Sequence, residues 1–99
     1  MYVVVRHELS DPPAAFARGE RLKRGEGAPA GAVALQFLPS AEGATVTCLW
    51  ETRSVEDVQS YVDDVLGETS VNTCYAVDAE HAFAEHPGAL SGRPVAATA

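Results

Sequence analysis

Residues Thr47–Gly67, TCLWETRSVEDVQSYVDDVLG, hold the end of one element and the whole of the next. Thr47 to Glu51 mixes β-branched and aromatic side chains, as a half-buried strand does. Ser54-Val-Glu-Asp57 then has the Ser-x-x-acid form of a helix-capping pair, with Glu56 and Asp57 placed at the positive end of the helix dipole. Val58, Tyr61, Val62 and Val65 recur at i, i+3, i+4 and i+7, which lines them up as one apolar helical stripe. Gly67 follows as the C-terminal stop. A strand leading into a capped amphipathic helix needs a sheet beneath the stripe.

Upstream, Ala32–Leu38 reads as strand two, Pro39–Gly43 as a turn and Ala44–Glu51 as strand three, which makes a hairpin. The breaker-rich Gly25–Gly31 is a loop. Ser10-Asp11 ahead of Pro12 marks a helix start, because proline fits the first turn where its missing N–H is not needed; the helix runs to Arg24. Its apolar stripe of Ala14, Ala15, Phe16 and Leu22 is thin, and Gly19 weakens it by up to about 1 kcal/mol relative to alanine. Tyr2–Glu8 is strand one and Val71–Val77 strand four. Asp78–Glu85 is expected to add a short helix before Pro87. Residues 1–86 thus form one domain and 87–99 a small-residue tail with Leu90 and Val95 as its sizeable anchors.

The totals agree with one small folded unit. A chain of 99 residues buries only about 60–65% of its unfolded surface, so a second subunit would add useful burial. Seven Lys+Arg against 14 Asp+Glu give a net charge of −7, which repels phosphate backbones and argues against nucleic acid and anionic membranes as partners. Arg18, Arg21, Lys23 and Arg24 share a helix with Glu20 and precede Glu26, the pattern of a solvated face. No apolar run is long enough to span a bilayer. Two cysteines, Cys48 and Cys74, with no secretion signal suit a reducing compartment, and the cytoplasm is the expected location.

Strand-helix-strand followed by strand-helix-strand is the element order of a ferredoxin-like α+β sandwich, with the antiparallel sheet order 4-1-3-2 and both helices on one face. The strands are apolar on both sides: Val33, Leu35 and Phe37 alternate with Ala32, Ala34 and Leu38. The face without helices therefore needs a cover, and a second copy is the economical one. Over Thr47–Val77, the segments CLWE, SVEDVQSYV and NTCYAV resemble uncharacterised actinobacterial members of the dimeric α+β barrel superfamily. That superfamily includes antibiotic-biosynthesis monooxygenases, muconolactone-isomerase-like enzymes, stress-responsive barrel proteins and small nickel-binding proteins. The resemblance implies a homodimer, no cofactor, and a substrate held between helix and sheet among apolar walls. It brings no shared catalytic motif.

An antiparallel layout decides which side chains can meet. His7 ends strand one and Trp50 ends its neighbour, strand three, so the two stand at opposite ends of the sheet and form no dyad. His7 should neighbour Thr45 or Val46 on one side and Val71 to Thr73 on the other, with Arg6, Glu8 and Asn72 as possible partners. Two readings of it stand: a buried histidine satisfied by a backbone carbonyl or Asn72, or a group that transfers protons near neutral pH. Trp50 should come near Tyr2 and, one strand further, Tyr75. It shares parity with Val46 and Cys48, which puts it beneath a helix with an indole N–H in need of an acceptor. Glu51, of opposite parity, is a rim carboxylate or a partner of Arg53. Cys48 and Cys74 lie two strands apart, about 9–10 Å, too far for a disulfide. His81 and His86 do not share a helical face, so a metal would need His7 or a second subunit. Gly25-Glu-Gly27 lacks the spacing and lysine of a nucleotide loop, and Asp63-Asp64, unfavourable near a helix C-terminus, reads as solvated surface.

These placements lead to a small-molecule-binding protein in which Phe16, Phe37, Trp50, Tyr61 and Tyr75 form the wall, Asn72 assists, and His7 is the candidate catalytic residue. Its partners are a second copy and a small apolar ligand. The reaction that the resemblance implies is a cofactor-independent oxygenation, isomerisation or cyclisation. The alternatives are a non-catalytic dimeric module whose tail, 87–99, docks on a partner, and a nickel-binding protein.

Overall fold

The computed structural model describes residues 1–85 and 87–90. His86 and Val95 lie outside them. The order is β1 (Tyr2–Leu9), α1 (Pro12–Arg24), β2 (Val33–Pro39), β3 (Thr45–Glu51), α2 (Val55–Leu66) and β4 (Ser70–Ala76), with a single 3-10 turn at Gly67–Thr69. The strands form one sheet ordered β2-β3-β1-β4, antiparallel at each junction, so the fold is the ferredoxin-like βαββαβ sandwich. Among the described residues no helix is long and apolar enough to cross a membrane.

Each helix begins and ends for a local reason. Asp11 caps α1, its Oδ1 accepting the Ala14 N–H at 3.3 Å, and Gly25 ends it in the left-handed region at φ 70°. Ser54 Oγ accepts the Asp57 N–H at 3.1 Å to cap α2, and Gly67 ends that helix at φ 55°. The two helices are tied at their ends. Arg18 Nη1 donates to the Leu66 carbonyl at 3.1 Å and its guanidinium pairs with Glu68, while the Tyr61 hydroxyl donates to the Glu26 carbonyl at 2.5 Å. Arg18 therefore anchors one helix to the other, where a purely solvated role was expected.

Cross-strand partners share a face, so the register sorts the sheet. Val3 opposes Trp50, Val5 opposes Cys48 and His7 opposes Val46, and all six are buried under the helices. Val58 and Val62 of α2 are fully buried against them, each worth about 1.5–3 kcal/mol of transfer free energy. The other face carries Tyr2, Val4, Leu49, Val71 and Tyr75.

Two local expectations are corrected. A β-bulge between Ala34 and Gln36 breaks the period-2 alternation of β2: Val33 opposes Glu51 on the open face, whereas Phe37 opposes Cys48 under the helices. Val33 and Phe37, two alternations apart in sequence, thus end on opposite faces. The open face keeps apolar residues of β2, since Val33 and Leu38 stay exposed there. The expected helix over Asp78–Glu85 is one isolated turn, in which Asp78 accepts the Ala82 N–H with its carbonyl and the Glu80 N–H with its carboxylate. Phe83 is 92% exposed, so no buried apolar contact extends that turn into a helix.

Candidate functional site

Helix α2 packs on β4 and α1 packs on α2. Between α1 and the β2–β3 half of the sheet a cavity of about 750 Å³ remains. Its roof is α1, which turns Ala15, Phe16, Gly19 and Leu22 inward, and the two small residues leave room that larger side chains would fill. Its floor is Phe37, Val46, Cys48 and Trp50. Phe16 and Phe37 meet edge to face at 6.3 Å between centroids, and Lys23 Nζ lies 4.4 Å from the Phe37 centroid at the rim. Pro87 and Leu90 of the C-terminal stretch also line it.

His7 lines the same cavity and is 2% exposed. Strand pairing sets it beside Asn72, and Nδ1 lies 2.6 Å from Asn72 Oδ1. That oxygen also accepts from Ser70 Oγ at 2.7 Å, while Asn72 Nδ2 donates to Asp63 Oδ1 at 2.9 Å. Gln59 Nε2 donates to Asp63 and, at 2.9 Å, to the Asn72 carbonyl, which clips β4 to α2. Burial pushes the His7 imidazole below its ordinary value of 6.5, the Asn72 bond and the Asp63 charge pulling weakly the other way. The ring is therefore neutral at pH 7.

Trp50 is 1% exposed and packs edge-on against Tyr61 at 5.9 Å. Its Nε1–H is buried and finds no acceptor among the described residues. An orphaned buried donor of this kind costs about 1–3 kcal/mol. Burial pushes the Cys48 thiol up to about 12 and the Cys74 thiol to about 11. Both are free; they flank Val5 from either side, two strands apart.

The structure thus brings His7, Phe16, Phe37 and Trp50 to one cavity, and keeps His7 and Trp50 at opposite ends of it. Asn72 stands behind His7. Tyr61 does not line the cavity: its ring backs Trp50 and its hydroxyl is engaged by Glu26. Tyr75 lies on the opposite face of the sheet, opposite Val4, and is 55% exposed. Glu51 is an exposed rim residue. Arg6 and Glu8, once candidate partners of His7, point to the open face and pair with each other at 3.6 Å. Asp63 was read as solvated surface; it is exposed, but it holds Asn72. Sequence reasoning also passed over Lys23, Ala15 and Gly19 as lining residues, although a glycine in mid-helix was a visible signal. His81 pairs with Asp78 at 2.8 Å, and among the described residues no group of three or more His, Cys, Asp or Glu could hold a metal.

Residues 2–85 match one family model, described as Domain of unknown function (DUF8652). Neither the curated proteins nor the solved structures hold a match to the chain.

Proposed function

The chain belongs to the DUF8652 family, and we propose that this member of it binds a small, elongated, largely apolar organic molecule between α1 and the β2–β3 half of the sheet. The observation that carries the reading is an apolar cavity of about 750 Å³, a size that suits a small organic ligand, with one unspent polar atom in its wall: His7 Nε2 makes no hydrogen bond among the described residues. His7 and Trp50 line its two ends, four residues of β1 apart, about 13 Å along the strand, which is why the ligand is elongated. In the catalytic form of the reading, His7 accepts a proton from the bound molecule in a cofactor-independent oxygenation, isomerisation or cyclisation. A second copy covers the open sheet face and completes a two-sheet barrel. A reducing, cytoplasmic compartment suits the two thiols.

Trp50 is the only tryptophan, so its emission reports on the cavity. Titration with 4-phenylphenol should change that emission saturably, and calorimetry should return the same affinity. His7→Ala should melt below the wild type, because it empties a buried position beside Asn72, and at a temperature where it remains folded it should lose most of the binding. No saturable signal from either method, or wild-type affinity in folded His7→Ala, refutes the proposal. The second reading, a non-catalytic dimeric module, draws on the exposed Tyr2, Val71 and Tyr75 of the open face. It predicts self-association with no ligand response.

A further inference from the structure

We infer that Asp63, acting through Asn72, locks His7 as the Nδ1–H tautomer, so that Nε2 is the cavity's hydrogen-bond acceptor and the site selects ligands bearing an aromatic or enolic hydroxyl. The ligand half of this inference rests on the proposed binding function; the tautomer half stands without it.

An ionised carboxylate only accepts hydrogen bonds, so Asp63 Oδ1 fixes Nδ2 as the atom that Asn72 turns toward it at 2.9 Å. The reversed amide would set two oxygens against each other. With Nδ2 so placed, Asn72 Oδ1 is the atom 2.6 Å from His7 Nδ1. A carboxamide oxygen has no proton to give, so Nδ1 must carry the hydrogen. A neutral imidazole holds one ring proton, and Nε2 is left with its lone pair. His7 lines the cavity, and the lone pair has no partner among the described residues. A hydroxyl of the ligand satisfies it; an ether or an alkyl group in the same place leaves a buried acceptor unpaired, which sites built to hydrogen-bond a hydroxyl penalise. Asp63 and Asn72 are thus positioning residues.

The test has two arms on the 99-residue chain. Long-range proton–nitrogen NMR of 15N-labelled protein at neutral pH should show His7 as Nδ1–H. The Nε2–H fraction should rise in Asp63→Ala and in Asn72→Leu, and Asp63→Asn, which keeps an accepting oxygen, should restore the wild-type pattern. In the second arm, 4-phenylphenol should bind about tenfold more tightly than its methyl ether, one net hydrogen bond, and the ratio should fall toward one in Asp63→Ala at unchanged melting temperature. An Nε2–H signal in the wild type, or a tautomer indifferent to both Asp63→Ala and Asn72→Leu, overturns the lock. Tight but equal binding of both probes overturns the selectivity while leaving the cavity proposal standing. Binding of neither removes the selectivity together with that proposal, and the NMR arm still decides the lock.

Discussion

Buried histidines are usually neutral, and His7 shows how that neutrality becomes a measurable pH dependence. Burial lowers its folded value below 6.5, whereas the unfolded chain regains ordinary imidazole. Between the two values the unfolded state binds the extra proton. His7 therefore contributes stability that is complete above about pH 6.5 and is lost as the pH falls through the folded value. His7→Gln keeps an amide donor for Asn72 and removes the titration. Its melting temperature should run parallel to wild type above about pH 7 and fall less steeply toward about pH 5, in calorimetric scans across that range. Curves parallel throughout would show that His7 keeps its ordinary affinity for protons. The thiols give a second residue-scale prediction: with values pushed up to about 12 and about 11, Cys48 and Cys74 hold almost no thiolate at pH 8. Both should react with a disulfide reagent far more slowly in the native protein than after denaturation. Parity and antiparallel order were enough to read His7 beside Asn72 from the sequence. Asp63 escaped that logic, because nothing local to Asp63-Asp64 says which strand residue α2 will cross.

Elements carry the clearest link between residue choice and cavity. Alanine at position 19 would favour α1 by about 0.5–1 kcal/mol over glycine. A Cβ built at Gly19 meets nothing within 4 Å, so packing does not demand the glycine. Gly19→Ala should therefore raise stability by about that amount in urea titrations, and Gly19→Leu should weaken binding of 4-phenylphenol by filling the roof. At the far end of α2 the balance is reversed. Gly67 sits at φ 55°, and an added Cβ would lie 2.7 Å from Arg18 Nη1, the atom that binds the Leu66 carbonyl. Gly67→Ala should cost about 1–2 kcal/mol, mostly from the backbone. Both helix spans and their caps were legible, because Asp11, Ser54, Gly25 and Gly67 act on neighbours in sequence. The bulge in β2 was not: Val33 to Leu38 alternates acceptably in either register, and only pairing with β3 decides where the extra residue goes.

At the scale of the molecule the helices cover one face of the sheet and leave the other to the solvent. That face mixes Arg6, Glu8, Thr47 and Thr73 with Tyr2, Val4, Leu49 and Tyr75. Arg6 lies between Thr47 and Thr73, and the apolar residues are continuous where Val4 lies between Leu49 and Tyr75. A four-stranded face of this length measures about 19 by 23 Å, so two stacked faces cover about 870 Å², the size of a weak interface. The proposed dimer stacks two such faces about 10 Å apart and withdraws Tyr75, 55% exposed, from water. Tyr75→Arg puts a charge into that contact from the edge strand β4 and touches nothing under the helices. Sedimentation equilibrium should find twice the 10.4 kDa chain mass for the wild type and the single mass for the variant. The cavity lies on the other side of the sheet, so the variant should bind 4-phenylphenol with wild-type affinity. A wild type that sediments as a monomer at concentrations up to about 1 mM would remove the dimer and leave the cavity untouched.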